Sequence, residues 1–257
     1  MATQSKPVLW QIEISHYSEK VRWALDHKGI DHVRRTPLPG AHIPIALFLT
    51  RGAQPTLPVL QMDGRTIGDS TAIVAALEAK HLDRPLYPSK PDERRRALEL
   101  EDWFDENLGP HSRLLAFHDL IGEPDLFAEV AAATVPGPLA RAKPVVGSYA
   151  RALTSLRWGA HSDEAAERAR AGIVAALDKL EAELAAGDGE FLVGGSLTVA
   201  DITAASLFYP VVVPAEGPLP PELPRPAAFD RFRSGLSDRP GWRWVEETFR
   251  RHRRQSG

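Results

Sequence analysis

Val8-Leu9-Trp10-Gln11-Ile12-Glu13-Ile14-Ser15-His16-Tyr17-Ser18-Glu19-Lys20-Val21-Arg22-Trp23-Ala24-Leu25 is the stretch on which the fold turns. Val8 to Ile12, rich in β-branched and apolar side chains, reads as a strand. From Glu19 onward Val21, Ala24, Leu25 and Lys28 recur at helical spacing, and Gly29 stands where a helix stops. Between them lies Ser15-His16-Tyr17-Ser18. Disulfide-exchanging proteins carry Cys-x-x-Cys at such a junction, where a helix N-terminus favours a thiolate. Here both positions are serine, and the whole chain contains no cysteine. If the fold is thioredoxin-like, the chain has lost its own redox chemistry and is expected to handle a thiol that another molecule brings.

The next elements alternate in the same way. His32 to Leu38 is a second strand whose polar interruptions place it near a sheet edge. Thr56 to Met62 and Arg65 to Ile67 form a hairpin across Asp63-Gly64, a type I′ turn signal. A helix over 71–81 then buries Ile73, Val74 and Leu77. The order β-α-β-(helix or loop)-β-β-α is that of the thioredoxin fold. Residues 84–91, with Pro85, Pro88 and Pro91, break the periodicity and read as a linker between a first domain, 1–83, and a second, 92–257. The second reads as all-helical: Leu100, Phe104 and Leu108 step along one helix, and Ile173, Leu177, Leu180 and Leu184 along another. Between them, 123–148 carries Pro136, Pro138 and Pro144 and reads as two helical pieces about a proline elbow.

With 43% hydrophobic and 25% charged residues, the composition is that of an ordinary globular chain. A formal charge of −3 opposes bulk attraction to nucleic acid or an anionic membrane. No apolar run approaches the ~20 residues that span a bilayer, and Met1 to Lys6 lacks the layout of a signal peptide. The cytoplasm is the expected compartment. Without cysteine there is no disulfide, thiolate metal site or cysteine nucleophile, and the nine histidines show no ligand spacing, so no metal site is expected. Arg250-Arg251-His252-Arg253-Arg254 reads as helix-end cations running into a frayed tail.

Four motifs, in order, carry a family resemblance: Ser15 to Leu25, Leu57-Pro58-Val59-Leu60, Gly68-Asp69-Ser70-Thr71-Ala72-Ile73, and Leu197-Thr198-Val199-Ala200-Asp201-Ile202. Together they resemble the cytosolic glutathione S-transferase superfamily, serine type, over about 8–250. The resemblance implies a thioredoxin-like α/β domain followed by an all-α domain, and glutathione, or a related low-molecular-weight thiol, as co-substrate. Ser15 is then the hydroxyl that favours the thiolate, with helix capping as the structural alternative. Pro58 becomes a cis proline facing the first helix, and the Leu57 backbone pairs with the cysteinyl part of the thiol like an added strand. Ser70 takes the γ-glutamyl carboxylate and Asp69 the amino group, at a helix start that also needs a cap. His42, Arg51 and Gln54 are candidates for the glycyl carboxylate. Thr198 to Asp201 is a capping box with an apolar staple, structural in role.

The second substrate, a small hydrophobic electrophile, is expected against the first long helix of the helical domain. Tyr17, Trp103, His111, Arg113 and Phe117 are its candidate wall, each also a candidate for the core, and His16 is a candidate acid, base or contact. Ser18 reads as a cap. Trp10, Trp23, Trp242 and Trp244 read as packing. The resemblance also implies a two-fold homodimer. Conjugation and glutathione-dependent isomerisation use the same first-domain residues. A non-catalytic binding or assembly module of the same fold stays open, since Ala53-Gln54-Pro55 departs from the common Asn-Pro-x-Gly approach to the proline and the 123–148 elbow is long.

Overall fold

A computed structural model describes residues 6–38, 40–133, 162–220 and 222–253. The elements, numbered over those residues, begin with β1 (Val8–Trp10), α1 (His16–His27), β2 (Val33–Arg35), α2 (His42–Leu49), β3 (Val59–Met62), β4 (Arg65–Gly68) and α3 (Ser70–Lys80). The sheet order is β2-β1-β3-β4, with β1 parallel to β2 and antiparallel to β3. Val59 faces Gly68 across the hairpin, and Asp63 and Gly64 both have positive φ (53° and 73°), as a type I′ turn requires. β2 is an edge strand and is exposed throughout. This is the expected thioredoxin-like arrangement.

All remaining described elements are helical: α4 (Pro91–Asn107), α5 (Gly109–Ile121), α6 (Pro124–Ala133), α7 (Asp163–Ala186), α8 (Val199–Val212), α9 (Ala227–Ser234) and α10 (Pro240–His252). Pro91, read as the end of the linker, is the first residue of α4, where its missing N–H costs nothing. α6 is the first piece of the 123–148 elbow; the rest of that elbow lies outside the described residues. No helix among the described residues is long and apolar enough to cross a membrane.

The core is organised around α8, every residue of which is buried. Its start is the capping box: Asp201 Oδ2 accepts the Thr198 N–H and hydroxyl (2.7 Å each), and Oδ1 accepts the Leu192 N–H at 2.8 Å. Burial raises the Asp201 pKa to about 6 despite those bonds. α8 packs on α1, α4, α5 and α10, so one helix joins the sheet side of the molecule to the helical side. Its Tyr209 hydroxyl donates to the Ile14 carbonyl, pinning the loop between β1 and α1.

Two readings are corrected here. Ser18 is not a cap: α1 starts at His16, Ser15 caps it, and the buried Ser18 hydroxyl accepts the Ile12 N–H (3.3 Å). Nor does the basic terminus simply fray. Arg253 folds back, is buried, and pairs with Glu19 and with Asp26 (2.9 Å) on α1, while Arg250 and Arg251 stay at the surface. Trp23, Trp242 and Trp244 are buried packing residues, and the Trp10 Nε1–H donates to Gln61 at 2.9 Å.

Candidate active site

β1 delivers the chain to Ser15 at the mouth of α1. Ser15 has extended dihedrals (φ −79°, ψ 124°), and its Oγ accepts the Ser18 N–H at 3.3 Å. That bond uses an oxygen lone pair and leaves the hydroxyl hydrogen available to an acceptor in front of the helix. The N-terminal end of the α1 dipole points to the same place.

A cavity of about 510 Å³ opens there, within the range of small-molecule sites. On the sheet side Ser15, His16, Tyr17, His42, Gln54, Leu57, Pro58, Asp69 and Ser70 all line it. The Leu57–Pro58 bond is cis, and no backbone hydrogen bond of the described turns, loops and caps uses the Leu57 N–H or C=O. Asp69 caps α3 through Oδ1, which accepts the Ala72 N–H at 3.0 Å, from a backbone at φ 71°. That region is sparsely populated for a residue with a Cβ, and such strain gathers at functional sites. The cap leaves the Ser70 and Thr71 N–H groups of the first turn without intrahelical acceptors. His42 opens α2, and its Nδ1 accepts the Gly40 N–H at 3.2 Å.

The opposite wall comes from the helices. Arg113, Ala116, Phe117 and Leu120 of α5, Phe127 and Val130 of α6, and Val213, Leu219 and Leu223 beyond α8 make it apolar apart from a few charges. One of these is Arg113, whose guanidinium lies 5.8 Å from the Tyr17 ring centre. Trp103 and His111 do not line the cavity. Trp103 packs against the core and sits edge-on to Phe104 (5.2 Å), one step round α4 from the face that reaches the site. His111 packs against Gly172 of α7, where a Cβ would meet its ring at 2.3 Å. Arg51 is also outside the lining.

Tyr17 and His16 are both committed. The Tyr17 hydroxyl donates to the Asp105 carbonyl (3.0 Å), under Gly109, where any Cβ would clash at 2.1 Å. Burial and the Asp105 carboxylate push its pKa up, so the phenol stays protonated. His16 Nε2 lies 3.0 Å from the Gly109 carbonyl, and since a carbonyl only accepts, Nε2 carries the proton. Burial first, and Arg113 second, lower the His16 pKa to about 3, so the ring is neutral at physiological pH.

Behind the cavity, the fully buried Lys20 joins three elements. Its ammonium meets Glu101 at 2.8 Å and Asp105 at 2.6 Å on α4, and Thr71 of α3 at 3.0 Å. The Thr71 hydroxyl donates to Asp105 at 2.7 Å. Asp105 and Glu106 border the cavity, and the sequence reading missed both. The available signal was weak: Glu101 and Asp105 are spaced by four on one helix, but nothing local points them at Lys20. Leu219, Pro220, Leu223, Pro224 and Pro226, which supply much of the apolar wall, lie in a domain that read as all-helical and were not singled out.

A thioredoxin-like domain that carries serine at both positions of the redox pair is followed by a helical domain, and the cavity is lined from both. Residues 9–85 match the family description "Glutathione S-transferase, N-terminal domain" and residues 163–243 match "Glutathione S-transferase, C-terminal domain". The chain belongs to the glutathione S-transferase superfamily. Solved structures share the fold. A bacterial zeta-class glutathione S-transferase, maleyl pyruvate isomerase in its holo form, superposes with a TM-score of 0.61 at 20% identity, covering 94% of this chain and 91% of its own. Maleylacetoacetate isomerase from Anaeromyxobacter dehalogenans 2CP-1, with GSH bound in the active site, gives 0.57 at 22% identity, covering 95% and 91%. FzlA from C. crescentus gives 0.55 at 22%, covering 94% and 92%.

Proposed function

We propose that this chain is a serine-type glutathione transferase, in which Ser15 activates the thiol of glutathione for attack on a small electrophile held against α5. The observation that carries this reading is the Ser15 hydroxyl at the helix mouth, with its lone pair engaged by Ser18 and its hydrogen free to donate into the cavity. A thiol of pKa near ~8.5 is mostly protonated at neutral pH. A hydrogen bond donated to sulfur, together with the helix N-terminus, favours the anion, and each unit of lowering needs ~1.4 kcal/mol of differential stabilisation.

The Leu57 backbone beside the cis Pro58 takes the cysteinyl amide as an added strand. Ser70 and the first-turn N–H groups of α3 take the γ-glutamyl carboxylate, and Asp69 takes the ammonium. His42 and Gln54 serve the glycyl end. The sulfur lone pair forms the new S–C bond, and the displaced electrons leave with the electrophile's leaving group or remain on its conjugated system. Tyr17, Arg113 and Phe117 contact that second substrate. Conjugation and isomerisation share these steps up to the thioether. Leu47 and Phe48 on α2 stand exposed, Phe48 at 83%, and fit a homodimer in which a second copy covers them.

The test is turnover of chlorodinitrobenzene with glutathione by wild type and Ser15→Ala. The expected result is a kcat/KM lower by about 10–100-fold in the variant, with glutathione affinity within about threefold of wild type. Equal turnover in the two proteins would overturn the role of Ser15.

A further inference from the structure

We infer that His16 and Tyr17 are positioning residues, which hold the first turn of α1, and with it Ser15, in register with the start of α5. This rests on the glutathione reading above and deepens it, because it says what keeps the Ser15 hydroxyl aimed at the thiol.

The chain on both sides of Ser15 is tied to the helical side of the molecule. Before it, the Tyr209 hydroxyl of α8 donates to the Ile14 carbonyl. After it, His16 Nε2 donates to the Gly109 carbonyl and the Tyr17 hydroxyl to the Asp105 carbonyl, each at 3.0 Å. Residues 14, 16 and 17 are thus each held from outside, while the Ser15 Oγ bonds within its own helix, to the Ser18 N–H. The two receiving carbonyls lie at the α4–α5 junction. Asp105 is in the last turn of α4, where carbonyls lack intrahelical donors, and Gly109 is the first residue of α5. α5 then carries Phe117 and Leu120 of the cavity wall. One latch therefore fixes the activating hydroxyl against the helix that faces the second substrate.

Gly109 supports this independently. Its φ is not in the left-handed region, so its conformation does not call for glycine. Its surroundings do: a Cβ there would meet the Tyr17 hydroxyl at 2.1 Å and Cζ at 2.6 Å. The His16 ring is buried and its centre lies 4.5 Å from that of Tyr17, so the two rings pack as one unit. A phenol hydrogen spent on a backbone carbonyl is not offered to sulfur. The influence of Tyr17 on the thiol therefore runs through Ser15.

The experiment is a pH titration of the ultraviolet thiolate absorption of bound glutathione, with the S-methylglutathione complex as blank. It compares wild type, Tyr17→Phe, Gly109→Ala, Ser15→Ala and the double variant Ser15→Ala/Tyr17→Phe. Tyr17→Phe keeps the ring and removes only the hydroxyl, so it carries the test even if Gly109→Ala folds poorly. The expected thiol midpoint in Tyr17→Phe is higher by about half a unit to one unit, or about three- to tenfold less thiolate below both midpoints. Gly109→Ala, which breaks the same contact from the other side, shifts it likewise. Ser15→Ala raises the midpoint more, and adding Tyr17→Phe to it produces no further shift, as expected of two groups acting as one. S-methylglutathione binds all five proteins within about threefold by calorimetry. A wild-type midpoint below that of free glutathione, raised in Ser15→Ala but unchanged in Tyr17→Phe, overturns the inference and leaves the glutathione reading standing. An additional rise in the double variant overturns it too, since Tyr17 would then act on sulfur without Ser15. A wild-type midpoint no lower than that of the free thiol, or one that Ser15→Ala leaves unchanged, takes both down.

Discussion

α1 and α2 invert the usual relation between composition and burial. α1 carries Glu19, Lys20 and Arg22 in one turn, and all three are buried. α2, His42-Ile43-Pro44-Ile45-Ala46-Leu47-Phe48-Leu49, is apolar almost throughout, yet only Ala46 is buried. Position decides the difference. α1 lies between α3 and the central helix α8, so its polar side chains have no route to water and each is paired. Arg22 bonds Glu19 (2.7 Å), Gln11 (2.8 Å) and the Glu13 carbonyl (2.8 Å), and Glu19 also takes Arg253. α2 lies on the outside, with only one small satellite cluster of Ala46, Leu57 and Val59 beneath it. The helix that carries the proposed chemistry is thus fixed by ion pairs, and the one beside it leaves apolar surface exposed.

If paired charges hold α1, breaking one pair is costly. Lys20→Met leaves Glu101 and Asp105 facing each other without a cation and is expected to cost about 3–5 kcal/mol in denaturant unfolding. Adding Glu101→Gln and Asp105→Asn should restore much of it. A loss below about 1 kcal/mol in the single variant would show that these charges are not coupled. Arg253→Ala comes next, at about 2–3 kcal/mol, since it strips Glu19 and Asp26 of a buried partner.

These charge pairs also mark the limit of what the sequence carried. Strand, turn and helix signals are local, so β1, the Asp63-Gly64 hairpin and α3 were all legible, as were the Ser15 and Asp69-Ser70 positions through the family motifs. Pairing is not local. Lys20 meets residues on α4, and Glu19 meets Arg253 near the far end of the chain, so no periodicity announces that polar residues at the start of α1 will be buried. The errors at Trp103 and His111 have a related cause. Helical spacing tells which residues share a face, but not which neighbour that face meets: Trp103 turns to Phe104 and the core, and His111 to Gly172. Nothing local in a domain read as all-helical marks Leu219, Leu223 and Pro224 as the wall of a cavity.

His16 sharpens the comparison by pH. Its folded pKa, about 3, lies below its unfolded value near 6.5, so the folded state binds fewer protons between them. The stability this neutral ring contributes is full above pH 6.5 and is lost as pH falls toward 3. Asp201, raised to about 6, acts oppositely: its contribution is present below pH 4 and lost as pH rises through 6. Comparing His16→Gln with wild type cancels the Asp201 effect, and the difference in unfolding free energy should shift by about 2 kcal/mol between pH 8 and pH 5. A pH-independent difference would mean that His16 titrates normally. The smallest expected effect is on α2. Phe48→Ser should leave the stability of the monomer within about 0.5 kcal/mol while weakening self-association in sedimentation, and unchanged association would place the dimer contact elsewhere.

Calorimetric titration of the full chain with glutathione tests the central claim most directly. Saturable binding at micromolar to low millimolar concentration, retained in Ser15→Ala, is the result expected of a cleft that holds the tripeptide through Leu57, Asp69 and Ser70 and uses Ser15 on its sulfur. No heat across that range would contradict glutathione as the co-substrate and leave the fold serving another thiol or a binding partner.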